Sequence, residues 1–317
     1  MKNSKYLVLM MAAVFFVGLF MVTGCGTDEA APEEPDTDQP ADEVAAEEPT
    51  EIKVGGKGWA ENMTLAYMAA ILIEENTVHT VDSSTADMGP TEMLHPAIVG
   101  GQIDIYPEYT GTSWMVVLEN EDLPNHDEIL GKVQEAYAEQ FGLTVLDAIG
   151  FENTFAIAMT AERAEELGLS TLTDLGQTEG LTFVGDSTSF TRPDVYLGLQ
   201  EVYGLDMNQV IVDTAFFYEA VAQGEGDVTT CFSTDGRLKE YGFVVLEDDQ
   251  QFFPPYDATF VVRTEILEMY PSVGEALAPL LGTIDEETMT ELNYLVEVQN
   301  MEPEDVARDF LTERGLI

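Results

Sequence analysis

The sequence predicts an α/β protein whose folded part begins near residue 51. Three observations predict it. A β-rich run, a loop holding Gly, Thr or Ser, and a helical period follow one another four times after residue 50, and strands alternating with helices mark α/β architecture. The 267 residues from 51 to 317 suffice for one large or two medium domains. Two extended segments, "GFENTFAIAMT" near 150–160 and "FFPPYDATFVVRTEIL" near 252–267, stand about a hundred residues apart. If both cross between domains, 155–256 is a domain inserted into one formed by 51–154 and 257–317. The alternative is that both are ordinary strands of one domain.

The chain opens with Lys2 and Lys5, an apolar stretch from Tyr6 to Val22, and Val22-Thr23-Gly24-Cys25 before it turns polar. A basic start, small residues at the end of the apolar run and a cysteine at the junction predict a bacterial lipoprotein signal over 1–25, removed before Cys25, which then carries lipid. An uncleaved anchor is the alternative, and it too leaves the rest of the chain outside the cell. Residues 26–50 hold ten acidic side chains, no Lys or Arg, and four prolines, too little apolar area to offset ordering. They predict an extended tether.

Residues 51–317 carry 50 acidic and 10 basic side chains, a net charge of about −40. That balance excludes nucleic acid and anionic lipid as partners. Self-repulsion of this size is screened within a few ångströms near molar salt, so the surface reads as adaptation to a saline habitat, with cation collection as the alternative. Cys231 is the only cysteine after Cys25, which leaves no internal disulfide and no cysteine-based metal site.

The elements follow in order. Ile52 to Val54 reads as a strand and Glu61 to Glu75 as a helix; Ile103 to Tyr106 reads as a strand ending at a Pro-Glu turn with a tyrosine on either side. In "LTFVGDSTSFTRPDVYLGLQEVYG" the chain is expected to be non-helical at Arg192 and helical from Pro193. "GDVTTCFSTDGRLKEYG" is the fourth unit. In open α/β sheets ligands bind beyond the carboxyl ends of strands, so the loops hold the function.

His79, His95 and His126 lack paired metal-ligand spacing, and no G-x-S-x-G elbow, P-loop or G-x-G-x-x-G occurs. Neither a catalytic set nor a metal or cofactor site is expected. Aromatics recur at loop positions instead. Trp59, Tyr106, Tyr196 and Tyr218 read as core. Tyr109, Phe155, Phe232 and Tyr256 lie at strand ends or crossings, flanked by turn residues. Four convergent ring faces would hold a quaternary ammonium, each worth up to about 2 kcal/mol once desolvated; spacing alone leaves the convergence open. Lys57 in "GGKGW" and Arg192 in "TSFTRPD" sit in strand-end loops before predicted helices, where an anion is favoured. Arg192 suits a carboxylate. Lys132, Arg163, Lys239 and Arg308 read as surface ion pairs. A cationic box beside a carboxylate clamp fits a zwitterion.

At these residues the sequence resembles the solute-binding proteins of osmoprotectant ABC importers, which take up glycine betaine, carnitine and choline. The stretches that carry the resemblance are "GGKGWAEN", "GGQIDIYPEYTGT", "GFENTFAIA", "CFSTDGRL", "LEDDQQFFPPYDA" and "LNYLVEVQNMEPEDVARDFLTERGLI", in this order over nearly all of 51–317. The resemblance implies a type II-like periplasmic-binding-protein fold, two α/β lobes joined by a two-strand hinge. It carries four cage positions onto Tyr109, Phe155, Phe232 and Tyr256, and the ligand's polar end onto Lys57, Thr112 and Arg192. Such relatives usually have tyrosine at all four cage positions. Phe155 and Phe232 keep the π face and lose the hydroxyl. Thr112 is neutral where an acid would mark a choline-restricted site, which favours a betaine with a carboxylate. The implied partners are a permease and its ATPase, with the protein a monomer, lipid-anchored on the outer face of the cytoplasmic membrane. The alternatives are choline alone, an amino acid or polyamine marked by an acid such as Glu108 or Asp257, and a sensor lobe without transport.

Overall fold

Side chains that alternate between two apolar environments build two five-stranded sheets. The structure is a computed structural model that describes residues 47–120, 124–193 and 195–317. The expected signal over 1–25, its Cys25, and the tether as far as residue 46 lie outside the described residues. The first sheet contains β1 (Glu51–Gly55), β2 (Thr80–Thr85), β3 (Ile105–Tyr109), β4 (Leu143–Val145) and β10 (Ala258–Arg263), in the order β2-β1-β3-β10-β4. The second contains β5 (Phe155–Thr160), β6 (Thr182–Gly185), β7 (Asn208–Ile211), β8 (Val228–Phe232) and β9 (Phe243–Leu246), in the order β7-β6-β8-β5-β9.

Each sheet is covered on both faces. Ile105 and Tyr109 of β3, with Phe260 and Val262 of β10, face a core under the helix Ala60–Asn76 and the C-terminal helices; Tyr106 and Val261 face the opposite one. Ile157 and Met159 of β5 likewise part from Ala156 and Ala158. This is the two-residue period of strands buried on both sides.

The two sheets share one construction. β10 runs antiparallel to β3, pairing Ala258 with Tyr109, and β5 runs antiparallel to β8, pairing Phe155 with Phe232. In each case the strand that enters a sheet starts beside the carboxyl end of a parallel strand. Between the sheets the two chain segments run side by side, with Glu152 bridged to Asp257. Ile149 N donates to Ala258 O at 2.8 Å, Ala258 N to Phe151 O at 3.1 Å, and Asn153 N to Tyr256 O at 3.1 Å. The carboxyl ends of β3 and β8 are therefore the ends next to this double crossing, where the expected ligand loops lie.

Two local expectations are corrected. β3 spans Ile105–Tyr109 rather than Ile103–Tyr106, and Pro107-Glu108 lies inside it instead of forming a turn. Proline is tolerated there because β1 pairs with β3 only at Val54–Ile105, so the strand's other side needs no ladder N–H at Pro107. The Asn62 amide donates to the Pro107 carbonyl at 3.0 Å and fills that side. The helix expected from Pro193 starts at Tyr196. Arg192 N donates to Thr188 O at 3.1 Å, which closes a turn first.

Candidate functional site

Three segments carry the aromatic residues, and each is fixed by its own bonds. Tyr109 ends β3 and is 4% exposed; the short helix Thr110–Thr112 follows and passes into a π turn over Ser113–Val117. Thr112 is half-buried where the two meet. Thr110 N donates to Asp257 O at 3.0 Å and Asp257 N to Thr110 Oγ1 at 3.0 Å, which stitches this turn to the segment bearing Tyr256. Gly111 makes the approach possible: a Cβ there would lie 2.8 Å from the Tyr256 ring and 2.6 Å from the Pro255 carbonyl.

Trp59 departs from its expected core position. It is 43% exposed and stacks on Tyr109, with centroids 6.2 Å apart and planes at 17°. It stays out of the core because it caps the helix Ala60–Asn76 rather than joining its buried face. Tyr106, Tyr196 and Tyr218 are buried as expected.

The second pair is Phe155 and Phe232, cross-strand neighbours whose rings stack at 4.9 Å and 26°. Phe155 is half-buried and Phe232 is 49% exposed. The Arg192 guanidinium lies 6.0 Å from the Phe155 centroid. Phe155 leans on the core of its sheet, and Phe232 extends the stack outward to solvent with a cation beside it.

Lys57 is 2% exposed. Its ammonium pairs with Glu108, and Thr91 Oγ1 donates to the other Glu108 oxygen at 2.9 Å. The same ammonium stands 5.0 Å from the Tyr109 centroid and 5.2 Å from that of Trp59. Glu108 is thus spent inside the protein, and Asp257 accepts from Thr110 Oγ1 at 3.2 Å. Both acids whose presence would have marked an amino-acid or polyamine site are engaged internally. Lys132, Arg163, Lys239 and Arg308 form ion pairs as expected, with Glu128, Glu166 and Asp227, Glu291, and Glu75.

The side chain that joins these segments is Glu61, which the sequence reading missed. Its Oε1 accepts from the Tyr109 phenol at 2.6 Å and the Asn153 amide at 2.8 Å; its Oε2 accepts from Thr234 Oγ1 at 2.6 Å and the Asn293 amide at 2.9 Å. Asn153 stands two residues before Phe155, and Thr234 two residues after Phe232. One carboxylate therefore ties Tyr109 to both segments of the second aromatic pair. Burial, with the charge of Glu61 next, pushes the Tyr109 phenol well above its usual range, so it remains a donor. An isolated acid among 60 leaves no signal in the sequence that would single out Glu61.

Acids at the crossing titrate abnormally. Burial raises the Asp257 carboxyl; burial and then the charge of Asp257 raise Glu152, against the opposing charge of His126. A carboxyl raised in the folded state contributes stability below its ordinary value near pH 4 that is lost as pH climbs through the folded value. The stability of wild type relative to Asp257→Asn should accordingly fall as pH rises from the ordinary carboxyl value near 4. Thermal melts at matched salt check this, and a constant difference would refute it.

A groove of about 1290 Å³ lies between the C-terminal helices and the edge of β9, lined by Lys239, Val244, Glu291, Phe310 and Arg314 among others. None of the seven candidate ligand residues lines it. Of the groups described above, Trp59 and Phe232 are the exposed members of the two stacked pairs, while Tyr109, Lys57 and Glu61 are buried.

Residues 50–313 match the family described as the substrate binding domain of the ABC-type glycine betaine transport system. The chain is 32% identical over 281 residues to the glycine-betaine-binding protein of Pseudomonas aeruginosa, covering 84% of this chain and 88% of that one. It is 32% identical over 267 residues to the ergothioneine transport permease/ergothioneine binding protein EgtU of Helicobacter pylori, covering 84% of this chain and 48% of that one, so it spans about half that relative's length. A crystal structure of a glycine betaine/carnitine/choline ABC transporter matches with a TM-score of 0.77 at 29% identity, covering 84% of this chain and 99% of that one.

Proposed function

This chain belongs to the family of substrate-binding domains of ABC-type glycine betaine transport systems, and on that premise we propose that it captures glycine betaine or a related quaternary ammonium solute in an aromatic cage and hands it to a permease. Substrate-binding proteins of importers work outside the cytoplasm and catalyse no reaction. Among the described residues no helix is long and apolar enough to cross a membrane. Anchoring through a lipid on Cys25, an acidic tether over 26–50, and service as a monomer in a saline habitat belong to this proposal, as does a division into lobes at 51–154 with 257–317 and at 155–256.

The observation that carries the reading is the Phe155–Phe232 stack, half of one ring open to solvent, with Arg192 beside it. Tyr109, Phe155, Phe232 and Tyr256 present faces to the trimethylammonium, and Arg192 receives the carboxylate together with Thr112, while Lys57, buried against Glu108, contributes only its field. Closing the two sheets' loops on the ligand excludes water and strengthens both terms. No bond is made or broken.

Calorimetry in high salt with glycine betaine, dimethylglycine, choline, carnitine and ergothioneine tests the proposal. Dimethylglycine keeps the carboxylate but trades one methyl for an N–H proton that the rings cannot satisfy. It should bind at least about tenfold more weakly than glycine betaine. Equal constants for the two would remove the cage from the account.

A further inference from the structure

Glu61 sits in the first turn of the helix Ala60–Asn76, 2% exposed, where the helix dipole favours an anion. All four groups that donate to it, from Tyr109, Asn153, Thr234 and Asn293, are neutral. Four donors shared between two oxygens suit a carboxylate, which accepts at both oxygens, whereas an amide would set its NH2 against one of the two asparagine donors. The donors come from the end of β3, from the first crossing segment, from the loop after β8 and from the helix Glu286–Glu297. They therefore belong to both sheets.

We propose that Glu61 is the residue that sets the cation strength of the site, by polarising the Tyr109 phenol and locking it to the segments that carry Phe155 and Phe232. This rests on the cage reading above. A phenol donating a charge-assisted bond at 2.6 Å gives up part of its O–H proton density and returns electron density to the ring, so the ring face becomes more negative. The carboxylate's own charge adds attraction across a dry interior. The Tyr109 ring already faces a cation: the Lys57 ammonium stands 5.0 Å from its centroid. Glu61 touches no ligand in this account. It is a positioning residue that acts through Tyr109 and Thr234.

The test compares choline with its neutral isostere 3,3-dimethylbutanol, which has the same shape without charge, on the full folded chain. For Glu61→Gln the affinity for choline should drop about tenfold or more while that for the isostere changes less than about threefold. Tyr109→Phe keeps the ring, breaks the bond to Glu61 and should show the same selective loss; the double variant should lose no more than either alone. Where Glu61→Gln fails to fold, Tyr109→Phe carries the test by itself. Equal losses for the charged and neutral ligands, or additive losses in the double variant, would overturn the proposal. Wild type that binds choline, glycine betaine and carnitine not at all would overturn the cage reading itself, an outcome distinct from the other two.

Discussion

Arg192→Ala is expected to weaken glycine betaine by about a hundredfold or more while choline changes by less than about threefold. The size follows from what the guanidinium does. A carboxylate taken from water into a closed site needs a charged partner, and losing that partner costs about 2–5 kcal/mol, most of it the cost of an unpaired buried charge. Choline ends in a hydroxyl and has no such charge. Arg192 is exposed and lies in the turn before the helix Tyr196–Tyr203, so its truncation should leave the melting temperature within a degree or two of wild type, as for a surface change outside packed regions. Titration of both ligands against both proteins decides it. Comparable losses for the two ligands would remove Arg192 from the carboxylate clamp.

Truncating Phe232 comes second. Phe232→Ala removes one ring face, worth up to about 2 kcal/mol, and also releases Phe155 from a stack worth about 0.5–1.5 kcal/mol. Affinity for any trimethylammonium ligand should therefore fall about tenfold to thirtyfold. Stability should fall by no more than about the value of that stack, because the ring is 49% exposed. Phe232→Leu separates π attraction from apolar contact: leucine keeps most of the buried area but has no negative face. A Leu variant that binds as tightly as wild type would show that the ring serves only as a greasy wall. Phe232→Tyr should match wild-type affinity or better, since it keeps the ring and adds only a hydroxyl.

Both predictions concern positions that local pattern could find. Phe155, Phe232 and Arg192 stand at strand ends or in strand-end turns, and strand ends are written in the two-residue alternation and the Gly, Ser, Thr and Pro that stop it. The run Ala60–Asn76 is legible for the same reason, as helical spacing of Leu65, Met68, Ala69 and Leu72 on one buried face. Pro107 shows where this local reading gives out. Its sequence neighbourhood reads as a turn; what permits a strand is that β1 stops pairing with β3 after Val54 and Asn62, from a helix 45 residues earlier, supplies a partner for its carbonyl.

By itself, then, the sequence determined the alternation of strands and helices, the acidic surface and the aromatic and basic residues at the loops, because each is a property of neighbours along the chain. Only the tertiary structure decided that Trp59 leaves the core to stack on Tyr109, that Lys57 faces Glu108, and that Glu61 gathers donors up to 232 residues away. The physical reason is that a buried charge is fixed by whichever partners the closed fold brings to it. Those partners come from distant segments, and in a chain with 60 acids no local pattern distinguishes the one they surround.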